Sequence, residues 1–191
     1  MPGKALVSIP VVQYRDSDLD AYHEVGIAFL VRPHGTGPAR AAVRMLEVVR
    51  GHVGIYVHHL PVNQAFTLEA GRALWGYPKF MADIEIRDDA RAMTCALDDD
   101  GTHVFTLTIE HGRLVPFPSQ HPPTYTFLGG ALRRTEWETS GGTHARFGGA
   151  TLALGDHPIS EELRALGLPK GAFMTQVMPS MRARFGAAEI V

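Results

Sequence analysis

Cysteine and lysine are both scarce in this chain of 191 residues. Cys95 is the only cysteine, which excludes an internal disulfide and a thiolate metal cluster. The formal net charge of −2 argues against a general nucleic-acid or membrane-surface binder. No apolar run reaches the length of a bilayer span. Met1-Pro2-Gly3-Lys4 lacks the apolar core of a signal peptide, so a cytoplasmic protein is expected. There is no Gly-x-Ser-x-Gly elbow for a nucleophilic serine. Gly35-Thr36-Gly37 is followed by Pro38 and by no Gly-Lys-Ser/Thr, so it is not a phosphate cradle. Repeats, low-complexity tracts and linkers are absent too, and one domain over residues 1–191 with no added cofactor is expected. What is present is 45% apolar and 20% charged residues, the composition of a globular protein. A chain of this length buries about 70% of its unfolded surface.

The chain reads mainly as strands. Residues 5–12 form an apolar strand before the polar turn Arg15-Asp16-Ser17-Asp18, and residues 22–31 form a second, rich in Val, Ile and Phe. A loop runs from Arg32 to Pro38, and residues 39–50 admit either a helix or a strand. Residues 53–62 are a strand, after which Asn63 is the expected N-cap of a helix through Phe66, Glu69, Ala70 and Leu74, closed by Pro78. Residues 79–87 alternate as a strand. Residues 93–97 and 104–109 make a hairpin about Asp98-Asp99-Asp100-Gly101, whose Asp-Gly pair suits a tight turn. A Pro-rich connection spans residues 116–123, and β segments at 132–139 and 144–154 flank Ser140-Gly141-Gly142. Ser160-Glu161-Glu162 opens a short helix that Gly167 ends, and a β-like stretch at 173–178 precedes a short tail. The expected fold is strand-rich α+β, with a curled or closed antiparallel, β-barrel-like core and few helices.

The three lysines are Lys4, in the N-terminal tail, Lys170, in a Gly-flanked turn, and Lys79. Lys79 alone sits among aromatic and apolar groups, in Leu74-Trp75-Gly76-Tyr77-Pro78-Lys79-Phe80-Met81. Lost hydration disfavours an ammonium, and a neutral amine attacks ketones to give a Schiff base. The structural alternative is a snorkelling lysine with a buried stem and a wet head. Gly71-Arg72-Ala73-Leu74-Trp75-Gly76-Tyr77-Pro78-Lys79 resembles the active-site segment of the acetoacetate decarboxylase family, with Gly-Arg at a helix end and then an aromatic-Pro-Lys turn. Acetoacetate decarboxylase is itself the standard example of a lysine activated in this way. Tyr22-His23-Glu24 is similar to the family's Tyr-x-Glu. The resemblance covers residues 7–191 and implies that Lys79 is the Schiff-base lysine, that Glu24 lines its pocket, and that the protein is a homo-oligomer.

Three departures accompany the resemblance. Phe80 stands where the decarboxylases carry a second lysine, and Ala73 where the family often has glutamate. The decarboxylases' longer N-terminal region supplies a pocket arginine with no evident counterpart here, for which Arg72 or Arg15 is a substitute. Arg72 is read as a helix-end cation or a substrate-carboxylate anchor, Trp75 and Tyr77 as pocket walls or core, and Phe80 as a desolvating neighbour.

The expected function is Schiff-base lyase chemistry on a small oxo acid through Lys79. Decarboxylation of a 3-oxo acid breaks a C–C bond, and aldol or dehydration chemistry on a 2-oxo acid uses that or an α-C–H bond. Glu24 shuttles the protons. The alternatives are a non-catalytic small-ligand carrier, favoured by the departures, and a cofactor-free enzyme for an apolar ketone. Among ten histidines, His58 and His59 are adjacent, so strand alternation points them to opposite faces, away from a shared ion. His52 with His58, and His103 with His111, have no recognised ligand spacing, and no metal is expected.

Overall fold

The computed structural model describes residues 6–32 and 53–191. The segment 39–50, which admits helix or strand, lies outside them, as do residues 33–38 of the loop before it. The described residues fall into two compact units, each built from several stretches of chain.

Among the described residues, the first unit takes 6–32, 53–80, 118–141 and 180–191. Its strands are β1 (Val7–Ser8), β2 (Val11–Tyr14), β3 (Tyr22–Val25), β4 (Ile27–Val31), β5 (Gly54–Val62), β6 (Lys79–Met81), β11 (Thr124–Leu128), β12 (Ala131–Ser140) and β16 (Arg182–Ile190). They form one nine-stranded sheet in the order β1-β4-β5-β11-β12-β16, with β2 on β3 and both β3 and β6 on β5. Among the described residues of this unit there is one helix, α1 (Ala65–Trp75). Its buried residues include two clusters, Tyr22, Val62 and Leu68 in one, and Val57, Leu60 and Tyr77 in the other.

The second unit takes residues 81–117 and 142–179. A four-stranded sheet runs in the order β14 (Ala150–Leu154), β9 (Thr102–Glu110), β8 (Ala92–Asp99), β7 (Asp83–Asp88). A three-stranded sheet joins β10 (Val115–Phe117), β13 (Thr143–Phe147) and β15 (Met174–Val177), and α2 (Pro158–Ala165) completes the unit. Cys95, Leu97, Val104 and Phe105 are fully buried there.

The architecture is strand-rich α+β with two helices among the described residues. None of the described sheets closes into a barrel, and the pairing is not wholly antiparallel: β11 runs parallel to β5, Thr124 opposite Ile55. Several expected strands are divided where the backbone cannot continue a ladder. Pro10 interrupts residues 5–12, and Gly26 separates β3 from β4, its N–H bonding the Pro10 carbonyl at 2.8 Å. A side chain on Gly26 would meet Pro10 Cγ at 2.8 Å, so the break needs glycine. Residues 144–154 divide at Gly148-Gly149, both with positive φ. The hairpin turn has positive φ at Asp100 and Gly101, 47° and 75°, matching the right-handed twist of β8 and β9.

Both helix starts differ from the sequence expectation. Gln64, not Asn63, caps α1: its Oε1 accepts from Thr67 N at 2.6 Å. Asn63 Oδ1 is taken by the His23 amide at 2.7 Å, so the better capping residue is engaged by β3. Helix α2 opens earlier than Ser160, with His157 as N-cap and Pro158 at its first turn, while the Ser160 hydroxyl bonds the Val104 carbonyl. β11 was not expected, and the supposed short tail holds β16, which pairs with β12 from Arg182↔Ser140 to Ile190↔Arg133.

Candidate active site

The β2–β3 hairpin sets the first part of the site. Tyr22 and Glu24 are two residues apart on β3 and share a face, and the register places Tyr14 opposite Tyr22. Helix α1 sets the second. Thr67 and Gly71 lie four residues apart on one helical face, and both are buried. Gly76 ends the helix in the left-handed conformation, φ 68°, its N–H donating to the Arg72 carbonyl and the Tyr77 N–H to the Gly71 carbonyl. Pro78 follows, and Lys79 opens β6 with only 3% of its surface exposed.

These pieces meet at the Lys79 amine. Nζ lies 2.7 Å from Glu24 Oε2 and donates to Thr67 Oγ1 at 2.9 Å. The Tyr22 ring centroid is 5.3 Å away, in cation–π range. The side chain runs directly over Gly71, where a Cβ would fall 2.6 Å from Lys79 Cδ and Cε. Glu24 Oε1 accepts from the Tyr14 hydroxyl at 3.4 Å, and the Tyr14 and Tyr22 rings stack 4.3 Å apart. The Tyr77 hydroxyl shares a 2.9 Å hydrogen bond with Thr124. Burial, then the Glu24 charge, pushes the Tyr22 phenol up to about 12. Burial takes Tyr77 to about 12 as well and holds Tyr14 well above the ordinary range. All three phenols are therefore neutral hydrogen-bond donors at physiological pH. The site offers an amine with a carboxylate as immediate proton acceptor, fixed by a hydroxyl and walled by phenols.

The other sequence candidates lie around this centre in different ways. Arg72 is exposed, and its Nε donates to the backbone carbonyl of Lys79 at 2.8 Å, so it ties the end of α1 to the start of β6. Trp75 donates its indole N–H to Gly186 O at 2.7 Å and packs against Tyr77 and Phe185. Phe80 follows Lys79 on the strand and so projects to the other face, where its ring meets His59 edge-on at 6.3 Å. Arg15 is exposed and bonds Gln13 Oε1 through Nε and Nη2.

Thr67 and Tyr14 were not singled out from the sequence, and Gly71 entered only as the glycine of the Gly-Arg motif, with no role of its own. Thr67 carries a faint signal, a hydroxyl one helical turn before the motif glycine, whereas Tyr14 reaches the site only through a cross-strand register.

His58 and His59 depart from the strand alternation expected of them. Between Ile27↔His59 and Ala28↔Val57 the β4–β5 register slips by one residue, leaving His58 as the extra residue of a bulge. Alternation fails there, and the two rings lie 4.2 Å apart. His103 is held by Asp98 and Thr106, and His111 by Asp88 and the Asp89 carbonyl.

Comparison with known proteins gives the fold and the family. No curated protein matches the sequence significantly. The solved acetoacetate decarboxylase of Legionella pneumophila superposes over 100% of this chain and 77% of its own, with a TM-score of 0.75 at 16% identity. An acetoacetate decarboxylase-like enzyme from Sphingomonas wittichii RW1 superposes over 90% of this chain and 69% of its own, with a TM-score of 0.61 at 15% identity. The enduracididine biosynthesis enzyme MppR, solved with pyruvate, covers 88% of this chain and 64% of its own, with a TM-score of 0.57 at 14% identity. These likenesses establish the fold. The profile of the family described as "Acetoacetate decarboxylase (ADC)" matches residues 1–172, a span holding Lys79, Glu24 and everything that touches them, and the chain belongs to that family.

Proposed function

We propose that the protein is a Schiff-base-forming lyase acting on a small oxo acid through Lys79. The observation that carries this reading is the buried Lys79–Glu24 contact of 2.7 Å, a nucleophile and a proton acceptor in direct reach. Glu24 takes a proton from the ammonium and frees the nitrogen lone pair. The amine adds to the ketone carbonyl, giving a carbinolamine. Glu24 returns its proton to the carbinolamine oxygen, and water leaves as the protonated imine forms. In a 3-oxo acid, the bond to the carboxylate then breaks. Its electron pair moves into the imine, carbon dioxide departs, and an enamine remains to be protonated and hydrolysed. A 2-oxo acid is the second proposed substrate class, for which the same imine serves as sink for an α-C–H pair; that MppR, of the same fold, was solved with pyruvate supports including it. Tyr77, buried two residues before Lys79 with its hydroxyl on Thr124 at 2.9 Å, is the proposed pocket wall. A homo-oligomer is part of this reading and is checked by light scattering.

A carrier without chemistry is the second reading, and one observation favours it. Glu24, Thr67 and the Tyr22 face already occupy the amine with an ion pair, a hydrogen bond and a cation–π contact, the contacts of a lysine held for structure. Reductive trapping separates the two. The protein is incubated with cyanoborohydride and acetoacetate, pyruvate or an apolar methyl ketone, then peptide-mapped, with Lys79→Ala as control. An adduct on Lys79 that depends on ketone supports the lyase, and the best-trapped ketone ranks the substrate classes. Absence of any adduct from neutral to alkaline pH leaves the carrier.

A further inference from the structure

The proposed reaction uses one oxygen of Glu24, and the other is also engaged. Oε2 faces Lys79 Nζ at 2.7 Å, while Oε1 faces the Tyr14 hydroxyl at 3.4 Å. Tyr14 is held at that position by three constraints. The β2–β3 register sets Tyr14 opposite Tyr22 and Val12 opposite Glu24. Its ring stacks on Tyr22 at 4.3 Å with 19° between planes, and it packs on the buried cluster of Tyr22, Val62 and Leu68. Burial and the Glu24 charge keep its hydroxyl protonated, hence a donor.

We propose that Tyr14 is a positioning residue for Glu24, gripping Oε1 so that Oε2 stays on the Lys79 amine and the carboxylate stays ready to accept its proton. The proposal rests on Glu24 acting as the proton acceptor in the function proposed above. Among the described residues, the charged and titratable groups facing Glu24 are Lys79 from β6, Tyr14 from β2, Tyr22 from its own strand and Tyr77 from the turn after α1, with uncharged Thr67 from α1 on the amine. A donor on a carboxylate favours its charged form, so loss of the Tyr14 hydroxyl makes Glu24 easier to protonate. The structural alternative is that Tyr14 stacks on Tyr22 and spends its hydroxyl on the Tyr22 hydroxyl instead of on Glu24.

Tyr14→Phe distinguishes these, because it keeps the ring and removes one oxygen. The rate of imine trapping is measured against pH for wild type and Y14F. The acid limb is expected to move up by about 1 pH unit, so the rate on that limb falls about tenfold while the alkaline plateau changes little. An acid limb that stays in place overturns the proposal. A second readout needs no imine: the infrared band of the protonated Glu24 carboxyl, identified by its loss in Glu24→Gln, is titrated in the ligand-free protein. Y14F is expected to move that titration upward by a similar amount, and an unmoved band overturns the proposal even if trapping fails. If wild type traps no ketone, the lyase reading falls, and the infrared titration alone decides the Tyr14–Glu24 contact.

Discussion

At the residue scale, Gly71 does more to shape the site than its size suggests. Its missing Cβ is the channel through which Lys79 reaches Glu24, since a methyl group there would sit 2.6 Å from Cδ and Cε and 3.2 Å from Nζ. Two effects of Gly71→Ala oppose each other. Alanine favours the helix by about 1 kcal/mol, whereas the clash forces a buried lysine off its path. The side chain can move more readily than α1, so stability is expected to change by only about 1–2 kcal/mol while the amine leaves the carboxylate. Ketone trapping at Lys79 should then fall about tenfold or more, read beside the urea midpoint. Trapping at the wild-type rate would show that the amine does not need its present path. Lys79 and Glu24 were legible because each sits in a local pattern, an aromatic-Pro-Lys turn and a Tyr-x-Glu strand. Thr67 and Tyr14 were not, because a threonine in a helix and a tyrosine in a strand have ordinary packing roles. Only tertiary placement brings Thr67 to the amine and Tyr14 to the carboxylate.

At the element scale, the question is how the end of α1 delivers β6. Gly76 reverses the chain, Pro78 prevents the helix from resuming, and Arg72 reaches forward to the Lys79 carbonyl at 2.8 Å. That hydrogen bond is the one side-chain link from helix to strand that the motif arginine makes among the described residues. Replacing Arg72 with alanine should loosen β6 without unfolding the sheet, because Arg72 is exposed and β6 is only three residues long. The expected result is faster amide hydrogen exchange over Lys79–Met81 with little change in β5, measured by mass spectrometry. Arg72→Lys should not rescue it fully, since an ammonium lacks the planar donor geometry of the guanidinium. Unchanged exchange in β6 would reduce Arg72 to a surface cation. The helix itself was legible from a capping residue at its start and Pro78 after its end, but its cap was placed one residue early, and Phe66 and Leu74 lie exposed while Thr67, Leu68 and Gly71 are buried. Asparagine outranks glutamine as a cap, and nothing local reveals that the Asn63 side chain serves the His23 amide of β3 instead. β16 was passed over for a related reason. Its inward residues are mainly Ala183, Phe185 and Ala188, with little β-branched content, and its strand character comes from pairing with β12. The His58 bulge is likewise a property of two strands together.

At the scale of the whole molecule, composition and periodicity were enough for a strand-rich α+β chain with few helices. Sheet order was not, because β5 finds β11 some sixty residues later and the pairing depends on register between distant segments. The same long-range assembly concentrates phenols in the first unit, and this gives that unit a distinctive pH dependence. Tyr22 and Tyr77 have pKa values raised from 10.0 to about 12, chiefly by burial, and Tyr14 is raised in the same direction. For a phenol the raised value means that the folded state holds its proton more tightly than the unfolded chain. Stability from this source is therefore complete below pH 10 and is lost as pH rises toward 12, while the unfolded chain ionises freely. Tyr22 and Tyr77 contribute roughly 2 kcal/mol each over that window, an order-of-magnitude figure. Urea unfolding at stepped pH, followed by tryptophan fluorescence, should report it, since Trp75 and Trp137 both lie in the first unit. Unfolding free energy should fall gently from pH 9, as the buried Cys95 thiol, raised from 9.0 to about 12, ionises in the unfolded chain, and steeply beyond pH 10 as the phenols follow. Tyr77→Phe should lower stability at pH 8 by about 1 kcal/mol through the lost Thr124 hydrogen bond, yet give a shallower alkaline decline. An alkaline slope identical to wild type would mean that Tyr77 ionises as easily in the folded protein as in the unfolded chain, and the buried, phenol-walled picture of the Lys79 site would have to be abandoned on that side.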